Sequence, residues 1–271
     1  MSAFEAIVLG LVQGLTEFLP ISSSGHIRVV SAFFGWEDPG AAFTAVIQLG
    51  TMAAVLIYFR RDLWNIARAW LRELRLPYAR RSHEANLGWF IILGTIPIIV
   101  FGVAFSDQIE EGARSLTLIG TALIVFSFVM LWADRTGTRD RPIERLNVRD
   151  GIFIGVAQAL ALIPGVSRSG ATISAGLLRG FDRAAAARYS FLLSVPAVVL
   201  SGVYELRHIG EPGGASFGAT AIATLLAFVS GYAAIAWLLR YLTTHTLTVF
   251  IVYRIGLGAV VLGLVAAGAI S

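Results

Sequence analysis

The stretch at residues 10–26, GLVQGLTEFLPISSSGH, returns 145 positions later at residues 155–171 as GVAQALALIPGVSRSGA, aligned without a gap. Gly10, Gln13, Leu15, Ser22, Ser24 and Gly25 recur as Gly155, Gln158, Leu160, Ser167, Ser169 and Gly170. A chain that repeats one segment in this way is built from two related halves. Each copy sits inside an apolar stretch, at 3–34 and 151–181, that Pro, Gly and a Ser cluster break near its middle. Neither side of either break reaches the roughly 20 apolar residues that a membrane span needs. The pattern predicts two hairpins that enter the membrane, turn at mid-depth and return. Irregular backbone at that depth is tolerated only under cover of protein or of a watery cavity.

The rest of the chain fits a membrane setting. Hydrophobic residues make up 56% and charged residues 14%, against about 25% charged in ordinary soluble domains; the mean hydropathy is +0.76. With no cysteine, disulfides and thiolate metal sites are excluded. All 21 basic residues are arginine. Most of the net charge of +4 sits in two loops, so it reports topology and not nucleic-acid binding. The N-terminus carries neither a basic leader nor a small-residue cleavage site, so no cleavable signal is expected.

Six further segments are long and apolar enough to span: roughly 41–59, 88–105, 116–133, 185–205, 217–239 and 247–270. Loop 60–87 holds seven arginines and loop 134–150 holds five, whereas 106–115 sets Asp107, Glu110 and Glu111 against Arg114. The positive-inside rule places the first two loops in the cytoplasm and the third outside. The first hairpin then opens outward and the second inward. One hairpin plus three spans per half gives halves of opposite orientation, the inverted-repeat plan in which broken helices meet near the midplane. The expected fold is all-α and integral to the membrane: six transmembrane helices plus two re-entrant hairpins in one domain. Repeat one covers about 1–133, a cytoplasmic loop 134–150, and repeat two about 151–271. Spaced arginines with Trp64 and Trp70 make loop 60–87 an expected amphipathic helix on the interface.

The two hairpin tips carry different polar groups. In the second, Arg168 stands among Ser167, Ser169 and Thr172 on the Pro164-Gly165 turn. An arginine costs roughly 2.5–3.5 kcal/mol at a helix centre on insertion scales, so it is seldom there without a task. Its planar fork flanked by hydroxyls suits a phosphate. Gly165, Ser167, Ser169, Gly170 and Thr172 can add backbone amides and hydroxyls, and the following helix start points its positive end there.

In the first tip, Gln13 and Glu17 lie four apart on one helical face. Glu17 suits a divalent cation or a general base; a structural carboxylate paired with Arg168 is the plainer alternative. Ser22 and Ser24 recur in the second half, which favours a shared capping role. Ser23 aligns with Arg168 and is the hydroxyl that symmetry leaves unexplained, hence the candidate nucleophile. His26 and Glu17 are its candidate activators. His26 alone of four histidines falls at a hairpin, though a helix-packing role is the commoner fate of a membrane histidine. Arg28 and Arg254 read as membrane-flanking snorkellers.

At these two motifs the chain resembles the bacterial undecaprenyl-diphosphate phosphatase family of the bacitracin-resistance type. Gln13 and Glu17 match its (Glu/Gln)-x-x-x-Glu motif, residues 22–26 its Ser-Ser-x-Gly-His, and residues 164–172 its Pro-Gly-x-Ser-Arg-Ser-x-x-Thr. The similarity extends to Gln48-Leu49-Gly50 and to 190–196. Many members carry Glu where this chain has Gln13, which leaves Glu17 as the only acid of the pair. The resemblance implies hydrolysis of undecaprenyl diphosphate to the monophosphate and inorganic phosphate, recycling the lipid carrier for cell-wall synthesis. It implies assistance by Mg²⁺ or Ca²⁺, with Glu17 and Gln13 at the metal. Ser23, His26, Glu17 and Arg168 would be catalytic, with Ser22, Ser24, Gly165, Ser167, Ser169, Gly170 and Thr172 around the phosphate. The expected setting is the bacterial plasma membrane, with the site facing the outer side. Attack by Ser23 and attack by an activated water both stay open, as does the oligomeric state, a homodimer included.

Two other classes compete. The type-2 phosphatidic acid phosphatases share Ser-Gly-His and Ser-Arg fragments, but Ser174 stands where their pattern demands a nucleophilic His. A transporter of lipid phosphates would use the same inverted, broken-helix architecture.

Overall fold

The computed structural model describes residues 1–105, 109, 115–205 and 216–270. The acidic connection 106–115, on which the outer-side expectation leaned, falls largely outside the described residues, as does His208.

The regular elements among the described residues are helices. In the first half α1 is Ala3–Glu17, α2 Ser23–Phe33, α3 Gly40–Tyr58, α4 Arg60–Arg72, α5 His83–Ala104 and α6 Leu116–Thr136. In the second α7 is Val148–Ala159, α8 Arg168–Leu178, α9 Arg183–Glu205, α10 Phe217–Tyr241 and α11 Thr248–Ala266. Five of these, α5, α6, α9, α10 and α11, are long and apolar enough to cross a membrane. A sixth crossing appears if α3 and α4 are one span, although they bend by 77° at Phe59. The bend coincides with the switch from apolar residues to Arg60, Arg61 and Asp62. Beyond it α4 buries Ile66 and Ala69 and turns Trp64 outward, the amphipathic pattern expected of this segment. The fold is therefore a multi-pass, all-α membrane protein.

Helices α1 and α7 begin the same way, each on a capping box: Ser2 with Glu5, and Asn147 with Asp150. They have 15 and 12 residues, which at 1.5 Å each is about 23 and 18 Å, short of a ~30 Å hydrocarbon core. Each packs on a helix of the other half. Gly10 lies so close to α10 that a Cβ there would sit 2.5 Å from the Ala223 carbonyl oxygen. Its counterpart Gly155 would meet Gly94 of α5 at 2.4 Å. Glycine is required at both crossings because only its absent side chain lets the backbones approach this closely. The exchange extends to neighbouring helices, since α3 also packs on α10 and α9 on α5, while α6 meets α11 and α3 meets α9.

Both short helices end at a break, residues 18–22 and 160–167, and both breaks end on a serine in the left-handed region. Ser22 has φ 74° and Ser167 has φ 76°. Each accepts a hydrogen bond from the amide of the glycine three residues on, Gly25 at 3.4 Å and Gly170 at 3.1 Å. The same N-cap is thus built twice. Left-handed backbone at a non-glycine residue costs about 1–3 kcal/mol, and it persists where the surroundings over-determine it.

Those surroundings centre on Arg254, which is wholly buried. It donates from NH1 to the Pro20 carbonyl at 3.2 Å, from NH2 to the Gly165 carbonyl at 2.8 Å, and from Nε to Ser127 at 3.1 Å. This corrects the expectation of a snorkelling Arg254: it lies two turns inside α11 and ties both breaks together. Arg28, the other expected snorkeller, pairs with Asp38 at 3.6 Å. Several loop arginines likewise do more than set topology. Arg141 and Arg179 hold the buried Asp150 at 2.6 and 2.7 Å, and Arg183 holds Asp134 at 2.6 Å.

Candidate active site

The two breaks deliver the first residues of α2 and α8 to one carboxylate. Ser23 opens α2 and Arg168 opens α8; Glu17 closes α1. The Ser23 hydroxyl donates to Glu17 Oε2 at 2.6 Å, and Arg168 NH2 donates to Glu17 Oε1. Gln13, one turn back, donates its amide to Oε2 at 2.7 Å. Ser23 and Arg168, equivalent in the repeat, therefore meet on the acid that the second half lacks, where Leu162 replaces Glu17. The Glu17 side chain is 5% exposed and that of Arg168 14%. In such a setting a charge needs a partner, and each supplies the other's. Two helix N-termini also face the carboxylate, and their positive ends favour negative charge there.

Arg168 is not spent on Glu17. A guanidinium carries five N–H donors, and Glu17 is its only acceptor among the described residues. The remaining donors are available to an anion. Ser24, next to Ser23, is exposed, so the pair is reachable from one side. Ser169 ties the tips together by donating to the Leu19 carbonyl at 3.0 Å.

The other expected residues take supporting positions. Ser22 and Ser167 are buried caps, and each also approaches the serine two residues on, Ser24 at 3.5 Å and Ser169 at 3.1 Å. Gly170 commits its amide to the cap, and Gly165, at φ 92°, offers its carbonyl to Arg254. Thr172 engages the Ser190 hydroxyl at 2.6 Å and the Arg168 carbonyl at 2.8 Å. His26 does not reach Ser23. Its Nδ1 lies 2.8 Å from the Ser22 carbonyl and its Nε2 2.7 Å from the Tyr253 hydroxyl. A carbonyl can only accept, so Nδ1 carries the proton and, in the neutral ring, Nε2 accepts from Tyr253. His26 is thus held in one tautomer, with both nitrogens engaged.

The chain is matched over residues 6–260 by the family model described as bacitracin resistance protein BacA. It belongs to that family. Among its relatives, an undecaprenyl-diphosphatase of Nocardioides sp. is 58% identical, over 98% of each chain. An undecaprenyl-diphosphatase of Thermobifida fusca is 54% identical over 100% of this chain and 93% of its own. Undecaprenyl-diphosphatase 2 of Streptomyces avermitilis is 53% identical over 100% of this chain and 97% of its own.

One expectation drawn from the family does not fit. Among the described residues no group of three or more His, Cys, Asp or Glu is placed to hold a metal ion. Glu17 stands alone as an acid, and Arg168, Ser23 and Gln13 already occupy its oxygens. Gln13 turns its amide N–H₂, not its oxygen, toward Glu17. A divalent cofactor on Glu17 and Gln13 is therefore corrected: one carboxylate neutralised by a guanidinium is a poor seat for a hard cation, which requires several oxygen ligands.

Proposed function

We propose that this protein hydrolyses undecaprenyl diphosphate to undecaprenyl phosphate and inorganic phosphate, returning the lipid carrier to cell-wall synthesis. The relatives' names supply the substrate. The observation that carries the chemistry is the shared grip of Ser23 and Arg168 on Glu17, which sets a hydroxyl, a base and a phosphate-binding fork within one hydrogen-bonded cluster.

In this reading the uncommitted N–H groups of Arg168 take oxygens of the terminal phosphate, helped by the amides and hydroxyls opening α2 and α8. Ser23 Oγ attacks the terminal phosphorus while its proton passes to Glu17 Oε2. The bond from that phosphorus to the bridging oxygen breaks. Undecaprenyl phosphate leaves with the bridging oxygen and takes the proton back from Glu17. Water then attacks the phosphoserine, giving a proton to Glu17, which returns it to the departing Ser23 oxygen. Glu17, and not His26, is the base, because Glu17 receives the Ser23 hydroxyl. His26 braces the first turn of α2 through the Ser22 carbonyl. Arg168 stabilises the charge that builds on the equatorial oxygens.

We read the architecture as six spans and two re-entrant hairpins in an inverted repeat. The twin serine caps, the exchanged packing of α1 on α10 and α7 on α5, and the meeting of both tips at Glu17 support this plan. The arginines of 60–87 and 134–150 favour a cytoplasmic position for those loops. They leave the first tip open to the outside and the second to the inside, and the outer-facing reading of the site rests on the family resemblance.

The test is phosphate release by purified protein in detergent, where a transporter yields none, together with rapid quench to trap phosphoserine. Ser23→Ala should fall below a tenth of the wild-type rate, since a positioned nucleophile and its base contribute on the order of 10²–10⁴. A variant that keeps more would make Ser23 a ligand and leave attack to water.

A further inference from the structure

Away from Glu17, a cavity of about 700 Å³ opens between the start of α5 and the start of α7. Two arginines line it from different halves of the chain: Arg81, just before the α5 cap, and Arg149, in the first turn of α7. Among the described residues neither has a carboxylate partner. Arg81 lies 5.2 Å from the Trp89 ring centroid and makes one long hydrogen bond, 3.5 Å, to the Leu74 carbonyl. Its Nε is out of solvent and has no acceptor among the described residues, and the indole Nε1 of Trp89 is in the same condition. Arg149 is exposed, and its side chain makes no hydrogen bond or ion pair among the described residues. By contrast Arg141, Arg179, Arg183 and Arg188 are all taken by aspartates.

The remaining lining changes character along the cavity. Tyr78 precedes α5 and Trp89 lies in its second turn, at the end of the span that follows the arginine-rich loop, where aromatic residues of a membrane–water belt are usual. Phe90, Leu93 and Val148 continue as an apolar wall, with Val148 39% exposed. Unpaired N–H donors at headgroup level above an apolar wall match a phosphate ester bearing an acyl chain. A free phosphate would leave the wall unused. A zwitterionic headgroup would bring its own cation to a place that already has two.

We propose that this cavity binds an anionic phospholipid of the surrounding leaflet, its phosphate between Arg81 and Arg149 and its first acyl segment along Phe90, Leu93 and Val148. The lipid joins the start of α5 in one half to the start of α7 in the other. The proposal is independent of the phosphatase reading, and neither arginine belongs to the cluster around Glu17.

The experiment uses the full chain, purified in detergent and exchanged against phosphatidylglycerol or phosphatidylcholine, with retained lipid counted by native mass spectrometry and Tm read in parallel. Phosphatidylglycerol should be retained and should raise Tm. Arg149→Gln, a substitution at an exposed residue whose side chain makes no hydrogen bond or ion pair among the described residues, should lower retention about fivefold, the worth of one arginine near a lipid surface. Arg81→Gln/Arg149→Gln should lower it further, with phosphate release from undecaprenyl diphosphate unchanged in both. Equal retention of phosphatidylcholine, or unaltered retention by Arg149→Gln, overturns the proposal. So does an equal Tm rise with inorganic phosphate alone, which would mean an anion site. Displacement of phosphatidylglycerol by equimolar undecaprenyl phosphate also overturns it, by assigning the cavity to the reaction product.

Discussion

Replacing Arg254 should damage the enzyme twice, once in stability and once in rate. The Arg254→Met side chain fills most of the same space and removes the charge. It leaves the Pro20 and Gly165 carbonyls, which accept at 3.2 and 2.8 Å, without their donor. Ser127 suffers less, because its hydroxyl already donates to the Leu123 carbonyl at 2.6 Å. Each orphaned carbonyl costs about 1–3 kcal/mol, so the gross loss is about 2–6 kcal/mol. Relief from burying the guanidinium offsets part of this, and about 3 kcal/mol should remain, at the lower end of what breaking a buried charged contact costs. For a chain of this size that is a Tm drop on the order of 5–10 °C. The rate should fall further than stability explains. Pro20 and Gly165 belong to the two breaks that present Ser23 and Arg168, and a misplacement of about 1 Å in a reacting group can cost 10²-fold. Arg254→Lys, which reaches one carbonyl but not both, should fall between. The assay pairs thermal unfolding in detergent with phosphate release per folded molecule. A normal kcat in Arg254→Met, whatever its Tm, would refute the positioning argument. A normal Tm would refute the energetic one.

The remaining expectations concern the cluster itself. Arg168→Lys should lose about 10²–10³ in kcat, because a point charge cannot span both Glu17 and the phosphate as the fork does; near-wild-type turnover would remove Arg168 from the transition state. Glu17→Gln should cost about 10²–10⁴ in kcat while the protein still folds, because the amide oxygen can accept from Arg168 and the amide N–H₂ can donate to the Ser23 oxygen; an unchanged rate would make the carboxylate structural. In this cysteine-free chain, Ser24→Cys should react with an impermeant maleimide added to intact spheroplasts, and Ser22→Cys, at a buried position, should not. Labelling of Ser24→Cys from inverted vesicles alone would turn the site to the cytoplasm.

What the sequence made legible was whatever follows from periodicity, charge count and duplication. The long apolar helices and the amphipathic α4 fall where hydropathy and spaced arginines put them, because burial in lipid imposes its pattern on contiguous residues. The twin breaks were legible because a Pro/Gly/Ser cluster has few other uses inside an apolar stretch. Pairings across the fold left weaker traces. Nothing local distinguishes an arginine that snorkels from one that anchors carbonyls, and Arg254 was misjudged for that reason. One cue was available: it lies six residues past the start of α11, about 9 Å along the axis at 1.5 Å per residue, deep for a side chain that must return to water. The position of His26 was not legible from the motif either. Its place in a Ser-Ser-x-Gly-His motif suggested a relay to Ser23, yet helical geometry carries its Nδ1 back to the Ser22 carbonyl of the preceding turn, and that bond fixes the tautomer. Both His26 and Glu17 were candidate partners of Ser23 by sequence; only Glu17 lies within hydrogen-bond reach of its hydroxyl. The metal expectation failed for a related reason. A motif with two acids can share a cation, but with Gln13 in the first position the remaining acid draws in Arg168 from the other half of the chain, and that positive charge occupies the role a cation would fill.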